Sequence, residues 1–255
     1  MLEAKRLYQE IGKKLKDMLS SGLYPVGSRL PPERDIAAQF GISRAIVREA
    51  LIMLELENLI DVRKGSGVYV INLPNSNKST ASSKDDIGPF EMLQARQLLE
   101  SNIAAFAATQ IIKSDIADMR KALQQESEAL ASGQDNNYDG DEMFHMLIAR
   151  ATQNSVLEDM VRELWLRRQY SPMWQKLHNR IADHTYRRDW LEDHQKILQA
   201  LQCKDSQAAY QAMWQHLENV KQTLMELSDV DDPDFDGYLF ESVPTLQETV
   251  LAMQE

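Results

Sequence analysis

Histidine stands at positions 145, 178, 184, 194 and 216 of the 255-residue chain. Three of these fall at helical spacing among apolar neighbours: His145 with Ile148 and Ala149, His194 with Leu191, Ile197 and Leu198, and His216 with Met213 and Val220. Asp141 precedes His145 by about one turn, so both side chains project from one face and can chelate one cation. With imidazoles from two further helices, Asp141, His145, His194 and His216 make an N₃O set. Such a set suits Zn²⁺, Ni²⁺ or Mn²⁺ and leaves coordination positions open. Spacing alone does not decide between this and a plainer reading, in which each inward histidine is a hydrogen-bonded core residue. His178 and His184 read as surface or pocket-rim residues. Arg96 shares a periodic face with Met92, Leu99, Ile103 and Phe106. A buried guanidinium needs an anion. Its partner is either Glu100, one turn on, or the carboxylate of a bound effector.

A second chemistry lies near the N-terminus. Ser43 is a helix cap by type, and Arg44 and Arg48 follow it on one face, away from Ile46, Ala50, Met53 and Leu54. Arginine reads guanine through paired bonds to O6 and N7. Arg34 can reach the same groove or a phosphate. Lys64, with Gly65 and Gly67, puts a cation on a backbone that side chains do not screen, which suits a phosphate or the minor groove. Each of these cations alone reads equally well as a solvated surface charge. Their order along the chain is what singles them out.

That order is helix, turn, helix, hairpin. A basic amphipathic helix runs over 7–21, with Leu7, Ile11, Leu15 and Met18 on one face. Pro32 opens a short helix over 32–39 that stops at Gly41, and Arg44 to Asn58 form the next. Residues 60–71 alternate apolar and polar around a glycine turn, as a β-hairpin does. The second helix of such a motif presents its N-terminal residues to base edges. Residues 1–71 are therefore expected to be a winged helix-turn-helix that binds double-stranded DNA. Residues 72–88, rich in Asn, Ser and Lys, form a linker. The fold class is mainly α: helices over 89–111, 114–132, 137–152, 155–170, 173–183, 185–202 and 205–228 make an antiparallel bundle. Ser155 has capping-box spacing to Glu158, and Asp205 is placed to cap the last helix. Residues 229–255 form an acidic tail with an aromatic patch at Tyr238–Phe240.

Charge agrees with this division. The net charge of −11 disfavours a nucleic-acid partner for the chain as a whole. Residues 1–72 nevertheless carry 11 Lys and Arg against 9 acids, a net of +2, and the remainder carries −13. Cys203 is the only cysteine, so no disulfide framework exists and a reducing cytoplasm is the simplest compartment. No apolar run approaches the roughly 20 residues of a membrane helix. The N-terminus lacks the apolar core of a signal peptide.

The motifs LYQEI at 7–11, GSRLPPERDIA at 27–37, SRAIVREAL at 43–51 and KGSGVYV at 64–70 resemble the GntR superfamily of regulators. The resemblance implies that positions matching Arg34, Arg44, Arg48 and Gly67 contact operator bases or backbone, and that the protein is a homodimer on a pseudo-palindromic site. The helical half is similar to the FCD ligand domain of the FadR-like branch, through Met92–Arg96, Leu99-Glu100, Asp141–His145, Asp193-His194 and Trp214–Leu217. In metal-binding members the positions matching Asp141, His145, His194 and His216 ligate the cation, with Zn²⁺ first and Ni²⁺ or Mn²⁺ next. The likeness also implies an effector carboxylate on Arg96, and it disfavours fatty-acyl effectors. Gly88–Ile103, Met213–Val220 and Phe235–Phe240 resemble hexuronate-operon repressors of the UxuR and ExuR kind. The implied effector is a hexuronate or aldonate, with Arg150, Gln153 and Gln169 as candidate hydroxyl partners. A different small organic acid, a pure metal sensor and a metalloenzyme are the alternatives. No general-base motif near the ligands supports the last.

Overall fold

The computed structural model describes residues 6–63, 66–74, 86–133, 139–179 and 186–228. Lys64, Gly65, His184 and the tail 229–255 lie outside the described residues. Helix α1 (Leu7–Ser20) buries Tyr8, Ile11, Leu15 and Leu19. The expected stripe is thus rotated by one residue at each end: Leu7 is exposed, and Tyr8 turns inward to donate its hydroxyl to the Asp86 carbonyl at 2.7 Å. Helix α2 (Glu33–Phe40) follows Pro32 and stops at Gly41, whose φ of 65° is the left-handed conformation in which glycine ends helices. Helix α3 (Arg44–Leu56) begins where Ser43 Oγ accepts the Ile46 N–H at 3.4 Å. Strands β1 (Ile60–Arg63) and β2 (Gly67–Val70) pair antiparallel, with Ile60 opposite Val70 and Val62 opposite Val68. These elements make the expected winged helix-turn-helix.

Seven helices follow among the described residues: α4 (Pro89–Gln110), α5 (Lys113–Ala131), α6 (Asp139–Ala151), α7 (Ser155–Tyr170), α8 (Pro172–His178), α9 (Tyr186–Gln202) and α10 (Ser206–Leu227). Helix α4 packs along α10, and α5 packs against α6 and α9. Asp205 caps α10 through the Ala208 N–H at 2.9 Å, as expected. The cap of α7 is Asn154, whose Oδ1 accepts the N–H groups of Val156 and Leu157, and not a capping box from Ser155. Helix α8 ends at His178 rather than 183.

The apolar interior falls into two clusters. One fills the bundle with Ile103, Ala107, Met119, Phe144, Ile148, Ile197, Met213 and Leu217. The other joins Leu51, Ile52 and Leu54 of α3 to Phe90, Leu93, Trp174, Leu177 and Leu224 of the helical half. Helix α3 therefore packs against α4 and α8. Each fully buried Leu, Ile, Met or Phe among these contributes about 1.5–3 kcal/mol relative to exposure.

Candidate metal centre and nucleic-acid interface

Helix α6 contributes Asp141 and His145, α9 His194, and α10 His216. All four are buried, and one ligand atom of each lies within 4.8 Å of the others. His194 Nε2 stands 3.2 Å from His216 Nε2. Asp141 Oδ1 is 3.5 Å from His145 Nε2 and 3.6 Å from His194 Nε2. His145 Nε2 has no hydrogen-bond partner among the described residues. Behind the centre, each imidazole turns Nδ1 toward a carboxylate. His145 meets Glu100 of α4. His194 meets Glu126 Oε2 of α5 at 2.9 Å. His216 faces Asp193 Oδ2 at 3.8 Å, beyond hydrogen-bond reach. For His145 and His194 this assigns the proton to Nδ1 and points the Nε2 lone pair inward, the arrangement by which outer carboxylates orient metal-ligating histidines. Two opposed Nε2 atoms and an orphaned third are satisfied by a shared cation. The residues present fit a metal ion.

Without an ion, electrostatics favour the neutral imidazole at His145 and His216 and the charged one at His194. Burial lowers the His145 pKa against the pull of Glu100. Burial and the neighbouring His194 push His216 down to about 3. His194 is raised: burial opposes its charge, but the bond and charge of Glu126, with Asp141 and Asp193, outweigh it. Asp141 stays well below the usual carboxylate range because His145, His194, Arg168 and Arg96 overcome its burial. The centre thus holds one anionic carboxylate and imidazoles that favour their neutral form at His145 and His216.

Glu126 escaped the sequence reading, and Asp193 entered it only as a neighbour of His194 in the FCD likeness, with no role of its own. Glu126 lies on the buried face of α5 with Met119, Ala122, Leu123 and Ala129, and an acid at a core period is the signal that could have found it. Asp193 adjoins His194, and helical geometry turns it to α10, where Asn219 Nδ2 donates to its Oδ2 at 2.7 Å.

Arg96 is buried as expected, and its Nε donates to Glu100 Oε1 at 2.6 Å. Its guanidinium also stacks on Trp165, 4.3 Å from the ring centroid. The single inner face drawn through Phe106 does not hold, because Phe106 is exposed; α4 meets α10 on one side and α6 and α7 on others. Arg168, unforeseen, stacks on Trp165 and Trp174 and lies 3.7 Å from Asp141 Oδ2. It stands with Trp174 between an inner cleft beside Arg96, Asp141 and His216 and an outer cavity of about 420 Å³. Gln169 and His178 line that outer cavity. Arg150 and Gln153 do not; both are exposed, and Gln153 Nε2 donates to the Gln110 carbonyl at 3.3 Å.

The DNA-reading candidates are placed differently from one another. Arg34 is exposed beside Asp35. Ser43 is buried in its capping role. Arg44 and Arg48, expected on the surface, are buried. Arg48 Nε donates to both oxygens of Glu33, at 2.9 and 3.0 Å, and its Nη1 donates to Ser228 Oγ at 2.8 Å and to the Met225 carbonyl. Arg44 Nη2 lies 3.8 Å from Glu33 Oε2. The physical reason is Glu33, an acid at the start of α2 that faces α3, together with the end of α10 lying over the same face. Gly67 has φ of 103°, and an added Cβ would sit 2.3 Å from Arg29 Nε. Here its bareness makes room for Arg29.

The model of "Bacterial regulatory proteins, gntR family" matches residues 7–70, and that of the FCD domain matches residues 91–219. The chain is 52% identical to the "Uxu operon regulator" of Haemophilus influenzae, over 94% of this chain and 90% of that protein. It is also 52% identical to the "Uxu operon transcriptional regulator" of Escherichia coli K12, over 94% and 95%. The E. coli "Exu regulon transcriptional regulator" is 45% identical over 96% and 95%. No described helix is long and apolar enough to cross a membrane.

Proposed function

Because the chain belongs to the GntR family of bacterial regulatory proteins and carries an FCD domain, we propose that it represses sugar-acid catabolism and that a hexuronate or aldonate retunes its grip on operator DNA. As a transcriptional regulator it is not an enzyme. The single observation that carries the effector reading is the convergence of Asp141, His145, His194 and His216, with Arg96, Asp141 and His216 on an inner cleft that Arg168 and Trp174 share with the outer cavity. The names of the relatives at 45–52% identity support hexuronate operons as the target. The division proposed is a DNA reader (1–71), a linker (72–88), a sensor and dimerisation domain (89–228) and a tail (229–255), in a cytoplasmic homodimer.

Asp141, His145, His194 and His216 would hold the ion, with Zn²⁺ the best match to an N₃O set and Ni²⁺ or Mn²⁺ the other fits. When bound, the ion supplies a Lewis-acid anchor for a carboxylate. Glu100 and Glu126 hold two of the imidazoles in register, and Asp193 puts a negative charge near the third. Arg96 and Arg168 offer fixed N–H donors to the acid, and Trp165 and Trp174 give flat walls to its carbon skeleton. At about 420 Å³ the outer cavity falls within the usual range of roughly 300–1,000 Å³ for small ligands. On the DNA side, Arg34, Arg44 and Arg48 are the base or phosphate readers, Ser43 sets the helix start, and Lys64, Gly65 and Gly67 are the residues that would meet the DNA backbone.

The test is operator affinity by fluorescence anisotropy, with hexuronates, aldonates, lactate and pyruvate added in turn, before and after chelation. A hexuronate or aldonate should shift affinity by about 5–150-fold, the usual span of allosteric coupling, and chelation should abolish the shift. No response to any sugar acid would refute the switch.

A further inference from the structure

Adjacent residues of the reading helix grip the ends of two sensor helices. Arg48 reaches the C-terminus of α10, where its guanidinium takes the Met225 carbonyl and Ser228 Oγ. The last carbonyls of a helix lack intrahelical donors and carry partial negative charge, so a cation belongs there. Glu49, next along, reaches the N-terminus of α4. Its Oε1 accepts the N–H groups of Phe90 at 2.8 Å and Glu91 at 3.2 Å. The N-cap position of α4 is Gly88, which has no side chain to cap with, and α3 supplies the missing acceptor through Glu49 Oε1. Gly88 is also required for the approach: an added Cβ would lie 2.3 Å from Glu49 Oε1. The Arg48 cation matches the dipole of the helix end it meets, and Glu49 satisfies two N–H groups that α4 leaves without intrahelical partners. Lys176 of α8 adds an ion pair to Glu55 of α3 at 3.1 Å.

These two sensor helices also bear the candidate centre. His216 lies on α10, and Arg96 and Glu100 lie on α4. We propose that α3, α4 and α10 form an autoinhibitory latch, in which Arg48 and Glu49 clamp the sensor helix ends and keep the DNA-reading face of α3 covered until operator displaces them. The proposal rests on the assignment of Arg44 and Arg48 to operator DNA. A guanidinium held by Met225 and Ser228 cannot also reach a base edge, so α10 and the duplex compete for one side chain. Operator affinity is then the intrinsic affinity scaled by the fraction of molecules with the latch open. Anything that fixes the ends of α4 and α10 changes that fraction without touching DNA.

Two substitutions in the full chain open the latch without altering a reading residue or a candidate metal ligand. Gly88→Ala forces Glu49 off α4 while leaving a backbone, φ −58° and ψ 138°, that alanine adopts freely. Ser228→Arg puts a second cation where Arg48 sits. The probe is the duplex that the parent protein selects from a random-sequence pool. Both variants should bind it more tightly, by on the order of 5–150-fold, with Zn²⁺ affinity unchanged. In the parent, saturating duplex should speed amide exchange at Phe90 and Glu91 and at 225–228 while slowing it nowhere in those segments. Unaltered duplex affinity in folded variants, or unchanged exchange at those amides, overturns the latch. If either variant fails to fold, the parent's exchange pattern decides alone. A parent protein that prefers no duplex over random DNA overturns the operator assignment instead.

Discussion

Glu126 illustrates how a buried acid acts through another residue. Its carboxylate fixes the His194 ring by the Nδ1 bond and leaves Nε2 to face the centre. Loss of such an outer partner typically weakens metal affinity 10–100-fold. Glu126→Ala should lower Zn²⁺ affinity by about that factor, read by competition with a chromophoric chelator. Glu49 makes a different prediction. Burial pushes its pKa up to about 8, against the two α4 N–H bonds, with Glu91 and Arg6 as nearby charges and Tyr8 beside it. A carboxyl whose pKa is higher folded than unfolded binds its proton more tightly in the fold. Its stabilising contribution is full below the ordinary value of 4.5 and is lost as pH rises through about 8. Glu49→Gln keeps the neutral form at every pH. It should match the parent in urea unfolding near pH 4 and exceed it near pH 8.5. A parent that gains stability between those values relative to the glutamine variant would contradict this.

At the level of elements, helix ends decide most of what the periodicity leaves open. Helix α7 starts one residue earlier than its Ser155 capping signal suggests, because Asn154 accepts two N–H groups at once. Asn154→Ala should cost about 0.5–2 kcal/mol in urea denaturation. Ser155→Ala, by the same reasoning, should cost little, since no capping bond is made there. The reverse order of effects would restore the capping box. Helix α4 has no cap of its own in sequence, and none needs to be encoded locally when α3 brings Glu49 to it.

For the whole molecule, the bundle encloses three imidazoles and Asp141 with their outer carboxylates, a costly set of buried polar groups. A cation that binds only the folded chain stabilises it in proportion to its concentration over Kd. Chelation should therefore lower Tm, and readdition of Zn²⁺ should restore it, by calorimetry. Full resistance of Tm to chelators, in protein shown by mass spectrometry to carry metal, would separate the ion from the fold.

The local signals in the sequence were enough for the helix-turn-helix, the hairpin and most helix bounds, because caps, prolines, glycines and the 3.6-residue period act over a few residues. Asp141 and His145 were legible as a pair since one helix carries both. His194 and His216 could be named from their apolar faces and from family likeness, but spacing left their meeting open. Their convergence, the supporting Glu126, and Arg168 between its tryptophans depend on which helices pack together, which no single stretch encodes. The burial of Arg44 and Arg48 is the sharpest case. On their own helix they occupy an outward face, and only the docking of α3 beneath the end of α10, with Glu33 between, turned that face inward.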